Sequence, residues 1–378
     1  MASVRDLLEA VRRVDSTSMP EHKSHHYVPQ MYMRLFARAG DNRIGVYVID
    51  RAKFIPNAPI RGQACRNYFY GKDSRAERAF GYLEGHASRI FAEAINHDRL
   101  PVPASQDHEW LIFYLGMQHA RTVGAAEQHN EGSEKISKAI LRQKAEFEEN
   151  SEMLAALDKV RIRRTNAVSE LVSYATIGAS LLSDLTFVLI QNGSDTAFIA
   201  SDTPVVFHNR LYEGQHIGVT GYANVGLQLF LPLGPRLVLF GFDSGAYTVQ
   251  KNAGGLVRVD DDAQVRLIND LHWESAYAVL LVSPDTSEHA LQASALDWSS
   301  CRRTERTIFR EEIVFQSDSE LRTRHGSGEA PSTVPLDLPF INCKLLKPAL
   351  LTSLEVPPFR DPDRVARVDR ALELQRRT

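Results

Sequence analysis

The feature that most constrains the fold is a change of sequence pattern near Asp184. Before it, apolar residues recur mostly at helical spacing, as in the stripe from Phe80 to Ala94. After it come short β-branched and aromatic runs, such as LTFVLIQN and RLVLFGF, broken by Gly, Pro, Asn and Asp. Such runs are typical of antiparallel strands joined by short loops. We therefore expect an α+β fold, with a mostly helical N-terminal half packed on a mainly antiparallel sheet from the second half.

Within this outline, individual segments carry their own secondary-structure signal. Apolar periodicity and capping residues predict helices over residues 3–14, 30–38, 74–96, 105–128, 133–147, 160–183, 261–274 and 361–377. Alternating or β-branched runs predict strands at RIGVYVIDR (43–51), NYFY (67–70) and AYAVLLVS (276–283). The polar, Gly- and Pro-rich residues 317–338 predict a loop.

The chain of 378 residues is long enough to bury a substantial core. We expect residues 1–21 to form an N-terminal helix and linker, and residues 22–290 to form a single α+β core domain. Residues 291–378 should then be a C-terminal extension with a loop and a terminal helix.

Charge and cysteine usage limit the partners and the location that we expect. The net charge of −3 creates no general attraction to nucleic acid, so a nucleic-acid substrate would need a local basic surface. The cysteines, Cys65, Cys301 and Cys343, form no CxxC pair, which disfavours a structural zinc site and fits a reducing compartment. The N-terminus lacks the apolar core of a signal peptide, and no apolar run suggests a membrane span. We expect a cytoplasmic protein without membrane association, and its oligomeric state stays open.

The segment HKSHHYVPQMYMRLF (22–36) is the strongest candidate for a functional site. It places His22, His25 and His26 close together, shortly before Arg34. Histidine transfers protons near neutral pH and is a common metal ligand. Because side chains alternate along an extended segment, at most one of His25 and His26 should face a given site. The alternative is an extended linker whose histidines are solvated.

Two helical segments offer further polar side chains. Glu77 and Glu84 lie two turns apart beside the Phe80 stripe, and Glu84 is the better candidate for a functional carboxylate. The alternative is that both lie in water or pair with an arginine. Gln118 and Arg121 share an inward-facing strip and suit phosphate binding, because arginine offers a planar fork of donors. The alternative for Arg121 is a buried structural pair with Glu84.

A fourth candidate is the turn SDTP (201–204), which follows the apolar run FIA. Asp202 lies at a strand end, where a carboxylate could bind a metal or orient a histidine. It could equally accept hydrogen bonds from backbone N–H groups.

The sequence contains no GxxxxGK[ST], GxSxG or HExxH motif and no GxGxxG before a helix. ATP-driven work, a Rossmann cofactor and a serine-hydrolase elbow are therefore disfavoured.

In order along the chain, HHYVPQMYMRLF, QHAR, FIASDTPVVF, LPLGPRLVLF and LINDLHWESAYAVLLVS resemble the domain of unknown function 4238 family. HHYVP and SDTPV are its most specific motifs, and the resemblance covers roughly residues 22–285. Met31 and Met33 stand where that family usually has an aromatic residue and a leucine. The resemblance implies no activity, but it implies that separated polar positions belong together. These positions are His25, His26, Tyr27, Pro29, Arg34, Gln118, Arg121, Ser201, Asp202, Pro204 and Asn269.

These features favour a metal-dependent phosphodiester hydrolase, most simply a nuclease with a toxin or phage-defence role. The expected site consists of His25, His26, Arg34, Glu84, Gln118, Arg121 and Asp202. His26, Glu84 and Asp202 would bind a divalent ion, Mg²⁺ or Mn²⁺ rather than Zn²⁺, which would activate water. His25 would serve as base or acid, while Gln118 and Arg121 would hold the scissile phosphate.

Two other hypotheses use the same side chains differently. In a non-catalytic binding or sensor module, Arg34, Arg121 and the histidines would bind a small anionic ligand such as a nucleotide. In a structural role, the polar residues would form a buried network that fixes the packing of the helices on the sheet.

Overall fold

The computed structural model describes residues 23–71, 75–215, 218–301, 306–316, 321–345 and 357–377. The helix expected over residues 3–14, the linker that follows it and His22 lie outside these ranges. Within them, the α+β class is confirmed. The helices are α1 (Gln30–Met33), α2 (Arg75–His97), α3 (Gln106–Ala120), α4 (Val123–Phe147), α5 (Ser151–Leu157), α6 (Ala167–Gly178), α7 (Asp262–Ser275), α8 (Glu288–Cys301) and α9 (Pro362–Arg377).

The strands concentrate in the second half, as expected, but four of them precede α2. They are β1 (Ser24–His26), β2 (Arg43–Val48), β3 (Lys53–Pro59), β4 (Cys65–Asn67), β5 (Thr186–Asn192), β6 (Ala200–Ser201), β7 (Val206–His208), β8 (Gln228–Pro232), β9 (Leu237–Phe242), β10 (Tyr247–Val249), β11 (Val257–Val259), β12 (Val279–Val282), β13 (Thr307–Gln316), β14 (Leu321–Glu329) and β15 (Ile341–Cys343).

Two larger sheets carry the core. The first has the strand order β11-β5-β9-β8-β7, in which only the β11–β5 pair of these described strands is parallel. The second has the order β3-β2-β12-β6 and is antiparallel throughout. Strand β12 is central in this sheet, and Leu280, Leu281 and Val282 are all buried because both of its faces are covered. The second sheet therefore combines strands from both halves of the chain.

The largest apolar cluster lies between α2, α3 and both sheets, and the HHYVPQ segment contributes to its centre. Val28, Tyr32 and Phe36 have no exposed surface. Each fully buried large apolar side chain contributes about 1.5–3 kcal/mol to folding. The Tyr32 hydroxyl donates to the carbonyl oxygen of Pro232 over 2.7 Å, which ties α1 to β8. The segment is therefore built into the core, and the solvated-linker alternative does not apply to its described residues.

Three predicted elements need correction. Tyr68 to Tyr70 form a turn rather than a strand, and Tyr68 has a left-handed φ of 51°. The helix expected over residues 105–128 ends at Ala120, and α4 begins at Val123 with Thr122 as its cap. Short helix α5, absent from the prediction, follows α4.

The third correction concerns residues 317–338, which were expected to form a loop. Residues 321–329 are strand β14, which pairs antiparallel with β13. The resulting hairpin lies against α4, where Lys135 Nζ donates to the carbonyl of Thr307 over 2.5 Å. A Cβ at Gly132 would lie 2.7 Å from the Ser327 hydroxyl, so small residues on both elements permit the close approach. Composition alone concealed this strand because its residues are polar.

Helix α9 begins as expected, since the Asp361 carboxylate accepts a hydrogen bond from the Arg364 N–H over 2.9 Å. In the described parts of the chain, none of the helices combines the length and hydrophobicity needed to span a membrane.

Candidate functional site

The backbone of HHYVPQ is extended at its start. Strand β1 pairs with β4, so that His25 lies opposite Arg66 and His26 lies opposite Cys65. Because side chains alternate along a strand, the two histidines face opposite sides. His25 is 3% exposed and turned into the protein, whereas His26 is half-buried and lines an open pocket. This arrangement agrees with the expectation that at most one of His25 and His26 faces a given site.

His25 organises the turn that follows β4. Its ring stacks on the Tyr70 ring with centroids 5.6 Å apart, and its Nδ1 accepts the Tyr70 N–H over 3.2 Å. Since Nδ1 accepts, the proton of the neutral ring is on Nε2, which lies 3.8 Å from a Glu77 carboxylate oxygen. The Tyr70 hydroxyl in turn donates to the carbonyl of His26 over 3.1 Å. His25 thus positions the pocket wall that contains Tyr70.

The pocket lies between this segment and α2 and has a volume of about 500 Å³. One wall carries His26, Gln30 and Arg34, and the facing wall carries Glu77 and Glu84. Three of the expected side chains, His26, Arg34 and Glu84, therefore open onto the same cavity.

His26 is suited to accept a proton. Its Nε2 lies 3.2 Å from the carbonyl oxygen of Arg61, which can only accept, so Nε2 carries the proton of the neutral ring and Nδ1 is the basic nitrogen. Burial lowers the pKa of His26, while the hydrogen bond to Arg61 and the charges of Glu84 and Glu77 act in the opposite direction. The net lowering of the pKa keeps the ring neutral at pH 7.

Arg34 lies exposed at the mouth of the pocket. Its Nε donates to the Asn42 side-chain oxygen over 2.9 Å, and its Nη2 lies 3.4 Å from the Gln30 side-chain oxygen. These two contacts hold the planar guanidinium in one orientation. A guanidinium held in this way is suited to two-point recognition of a phosphate or carboxylate.

A buried chain of hydrogen bonds lies behind the Glu84 wall. Arg121 Nη1 donates to Glu84 Oε1 over 2.9 Å, and Arg121 Nε donates to Gln118 Oε1 over 2.8 Å. Gln118 Nε2 then donates to the carbonyl of Tyr27 over 3.0 Å. The Arg121 guanidinium also lies 4.4 Å from the centre of the Phe80 ring, a cation–π contact. The network connects α2, α3 and HHYVPQ.

This network corrects the role expected for Gln118 and Arg121. Gln118 is fully buried, Arg121 is 1% exposed, and neither lines the pocket. Their hydrogen-bonding groups face Glu84 and the Tyr27 carbonyl instead of a phosphate. The structure thus has the buried Arg–Glu pair that the sequence left as the alternative.

Asp202 also lies away from the pocket. Its side chain is 1% exposed, and its two carboxylate oxygens accept the N–H groups of Tyr277 over 2.7 Å and Ala278 over 2.9 Å. Burial raises the pKa of Asp202 to about 6, and these backbone hydrogen bonds oppose that rise. The carboxylate ties the end of β6 to the connection between α7 and β12, which is the backbone-accepting alternative from the sequence.

The expected metal site of His26, Glu84 and Asp202 is therefore not assembled. Asp202 is near Tyr27, where its charge adds to the effect of burial in raising the pKa of the phenol. His26 and Tyr27 are consecutive in an extended segment, so their side chains lie on opposite sides of it. Among the residues that the structure describes, no group of three or more His, Cys, Asp and Glu side chains could hold a metal ion.

Several pocket residues were not among the expected site residues. Tyr70, Gly81, Gly85 and Ser88 line the cavity together with the side chains above. Tyr70 was hidden because NYFY was interpreted as a strand. The two glycines did leave a signal, since Gly one turn apart inside a helical pattern is unfavourable unless something requires it.

The family model of the proteins of unknown function DUF4238 matches residues 24–286, well over half of the chain. The chain belongs to the DUF4238 family. All seven expected site residues lie inside the matched range, and so does every residue that lines the pocket. The β13–β14 hairpin and α9 of this DUF4238 protein follow the matched range. Searches of curated proteins and of solved structures gave no match.

Proposed function

We propose that this DUF4238 protein is a phosphodiester hydrolase, most simply a nuclease, whose catalytic pocket lies between HHYVPQ and α2. The observation that supports this proposal is that a neutral, half-buried imidazole and an oriented guanidinium open onto one cavity. His26 supplies the first and Arg34 the second. A base and a phosphate-binding cation are the parts that water-dependent cleavage of a phosphodiester needs.

In the proposed reaction, His26 Nδ1 takes a proton from water as the water oxygen bonds to phosphorus. The bond from phosphorus to the leaving oxygen then breaks, and that oxygen is protonated from solvent. Arg34 donates to the phosphate oxygens, on which charge builds up. Glu84 Oε1 is held by Arg121, which leaves Oε2 to orient the water.

The charge of the pocket is compatible with a single phosphate. Glu84 is paired with the buried Arg121 beneath it, and Arg34 brings one positive charge to the pocket for the one negative charge of Glu77. This balance lacks the broad basic surface that duplex binding requires. A short or single-stranded substrate fits the pocket better than a long duplex.

The expected divalent ion, Mg²⁺ or Mn²⁺ in preference to Zn²⁺, remains a prediction. Since the described side chains form no ligand cluster, the proposed steps use only His26, Arg34 and Glu84. A chelator separates the two versions of the proposal. If cleavage continues in the presence of the chelator, His26 and Arg34 act without a metal. If the chelator stops cleavage, the reaction requires a metal that arrives with the substrate.

The decisive assay is cleavage of dinucleotides, single-stranded RNA and single-stranded DNA by purified protein. His26→Ala should lower the rate about 10²–10⁴-fold, the usual contribution of a general base. Arg34→Ala should raise KM for the phosphodiester. His97→Ala and Arg38→Ala are matched controls at exposed positions outside the pocket and should behave as wild type. Wild-type rates in His26→Ala, or no cleavage by wild type, would overturn the proposal.

A toxin or phage-defence role is part of the proposal and needs a cellular test. Wild type and His26→Ala would be expressed side by side in a bacterial host, with growth and nucleic-acid integrity followed together. Slow growth with degraded nucleic acid in the wild-type culture alone would support this role. Equal growth with intact nucleic acid in both cultures would remove it.

A second candidate function is a binding or sensor module for a small anionic ligand such as a nucleotide. The observation that favours it is the orientation of Arg34 by Asn42 and Gln30, which suits holding as well as cleaving. In that case Arg34→Ala should abolish stabilisation of the protein by the ligand, and no product should form with any variant.

A further inference from the structure

A second cavity, of about 650 Å³, lies between α3, α6 and α9 and shares no lining residue with the His26–Arg34 pocket. Its volume is within the usual range for sites that bind small molecules. Helices α3 and α6 belong to the matched family range, whereas α9 follows it. The C-terminal helix therefore adds one wall to a cavity whose other walls are part of the family core.

Helix α9 is held in this position by a buried arginine. The Arg360 side chain, just before the helix, is 7% exposed and donates to both carboxylate oxygens of Asp184. The same guanidinium donates to the carbonyls of Leu181 and Tyr222, each over 2.7 Å. Val368 of α9 is buried against Leu181. The cavity wall that α9 forms is therefore a fixed part of the fold.

The two ends of the cavity differ in polarity. At one end, Arg364 Nη1 of α9 donates to the Ser183 hydroxyl over 2.7 Å. His108 lies toward the same end, since its ring centroid is 6.0 Å from that of Phe187, which follows Ser183 closely in the chain. Further along the three helices the lining is mainly apolar, and it includes Ile112, Phe113, Ile177, Val368 and Ala371. A ligand that matches this lining has one polar end and an apolar body.

The polar end contains a buried donor. His108 is 5% exposed, and its Nδ1 accepts the Ala104 N–H over 3.3 Å, so the proton of the neutral ring is on Nε2. Burial lowers the pKa of His108, which keeps the ring neutral at pH 7, while the charge of Glu109 acts in the opposite direction. Among the described residues, no group accepts a hydrogen bond from Nε2. A buried donor without an acceptor is unfavourable, and a ligand oxygen in the cavity would satisfy it.

The charges of the lining favour an anion. Arg364 and Arg367 supply two positive charges, and Glu109 supplies one negative charge. Arg364 is paired with Asp361, its Nε lying 3.3 Å from a carboxylate oxygen. In the described parts of the chain, no carboxylate lies within ion-pair distance of Arg367. Arg367 is exposed at the cavity, where it can attract and hold a negatively charged group.

We propose that this cavity binds a fatty acid, with its carboxylate at the His108 end and its chain along the apolar lining. The carboxylate accepts a hydrogen bond from His108 Nε2 and is attracted by Arg367. The chain removes its own surface and that of Ile112 and Val368 from water. A sugar or a nucleotide matches the cavity less well, because its many polar groups would find no partners along the apolar lining.

The test compares ligands that share either the chain or the charge of decanoate. Binding to purified full-length protein would be measured by calorimetry and thermal shift, below the concentration at which decanoate forms micelles. Decanoate should bind at least tenfold more tightly than decanol, which has the same chain without the charge. Acetate, which has the charge without the chain, should not bind measurably.

Two variants test the polar end. Arg367→Glu should weaken decanoate binding about tenfold and leave decanol binding unchanged. Arg370→Glu, at an exposed position of α9 outside the cavity lining, makes the same change of charge and should bind both ligands as wild type does. His108→Phe keeps a ring against Phe187 and removes the donor, so it should reduce the preference for decanoate over decanol.

The apolar end is tested by filling it. Ala371→Trp should abolish binding of both decanoate and decanol, with circular dichroism and the melting curve of the free protein confirming that it folds. Ala366→Trp, at an exposed position of α9 that does not line the cavity, is the matched control and should bind as wild type does.

Three results would overturn the inference. The first is equal affinity of wild type for decanoate and decanol, or no binding of decanoate. The second is wild-type binding of decanoate by Arg367→Glu or by folded Ala371→Trp. The third is binding to vesicles of an anionic phospholipid without binding of decanoate, which would identify a membrane surface as the ligand. None of these results depends on cleavage by His26, so the inference and the hydrolase proposal can fail separately.

Discussion

Removing Glu84 from the Glu84–Arg121 ion pair should destabilise the folded protein by a different amount than removing Arg121. The Arg121 side chain is 1% exposed, whereas the Glu84 side chain is 25% exposed at the pocket. An arginine stays charged in a protein and cannot reach water from this depth. A carboxylate at the pocket surface can be hydrated when its partner is removed. We therefore compare Glu84→Ala with Arg121→Met.

The structure allows both costs to be worked out. Glu84→Ala leaves the Arg121 cation in the interior. Among the described side chains, Gln118 is then its remaining hydrogen-bond partner. Breaking a buried ion pair in this way lowers the free energy of unfolding by about 3–5 kcal/mol. Arg121→Met keeps a similar volume beside Phe80 and removes the donor to Gln118 Oε1. One unsatisfied buried acceptor costs about 1–3 kcal/mol. We expect Glu84→Ala to be the more destabilising change by about 2 kcal/mol.

The assay is urea denaturation at pH 7, with the midpoint followed by fluorescence and circular dichroism. Glu84→Gln keeps an acceptor for Arg121 without the charge and should fall between wild type and Glu84→Ala. Asp285→Ala breaks the exposed pair with Arg38 and should leave the urea midpoint close to that of wild type, because an exposed ion pair is screened by solvent. The reasoning is refuted if Arg121→Met destabilises the protein as much as Glu84→Ala or more.

Three further predictions concern single residues. Asp202→Asn keeps only one acceptor oxygen for the two N–H groups of Tyr277 and Ala278, so the free energy of unfolding should fall by about 1–3 kcal/mol in a denaturation experiment. The rate per folded molecule should be unchanged, and a folded variant without activity would contradict the structural role. The lowered pKa of His26 means that the folded protein binds this proton more weakly than the unfolded chain does. The free energy of unfolding should therefore be unaffected by His26 above a pH of about 6.5 and should fall as the pH drops below that value through the lowered pKa of the folded protein. The acid limb of kcat/KM should lie below the same pH, and a limb above it would contradict His26 as the base. Thr122→Ala removes the side-chain cap of α4 and should lower the free energy of unfolding by about 1 kcal/mol in thermal or urea denaturation. An unchanged free energy of unfolding would show that the cap does not stabilise the protein.

The sequence predicts elements well where the signal is local. The apolar stripe of α2 and the run before the SDTPV motif carry their own periodicity, so the α+β class and most elements follow directly. The break between α3 and α4 was missed because QHARTVGAA keeps helical composition across it. Its signal was Thr122, a capping residue inside an otherwise continuous pattern. Strand β14 was missed for a different reason, since its polar residues are held by pairing with β13 and not by burial of their own.

The candidate site residues follow a similar division. His26 and Arg34 were predictable together because they lie within one short segment, and their spacing fixes them near one wall. Asp202 was assigned to the wrong neighbours, because a carboxylate at a strand end has the same sequence signature whether it accepts hydrogen bonds or binds a ligand. Its two partners are backbone N–H groups at Tyr277 and Ala278, which are distant in sequence and leave no side-chain signal.

The alternation of side chains in HHYVPQ explains why one motif can serve the fold and the pocket at once. His25 and Tyr27 turn to the interior, where His25 contacts Tyr70 and Tyr27 lies near Asp202. His26, between them, turns to the cavity. His25, His26 and Tyr27 therefore divide into two groups by the side of the extended segment on which they lie. On the inner side, His25 accepts the Tyr70 N–H and the Tyr27 carbonyl accepts from Gln118, and these bonds fix the backbone that carries His26 at the pocket.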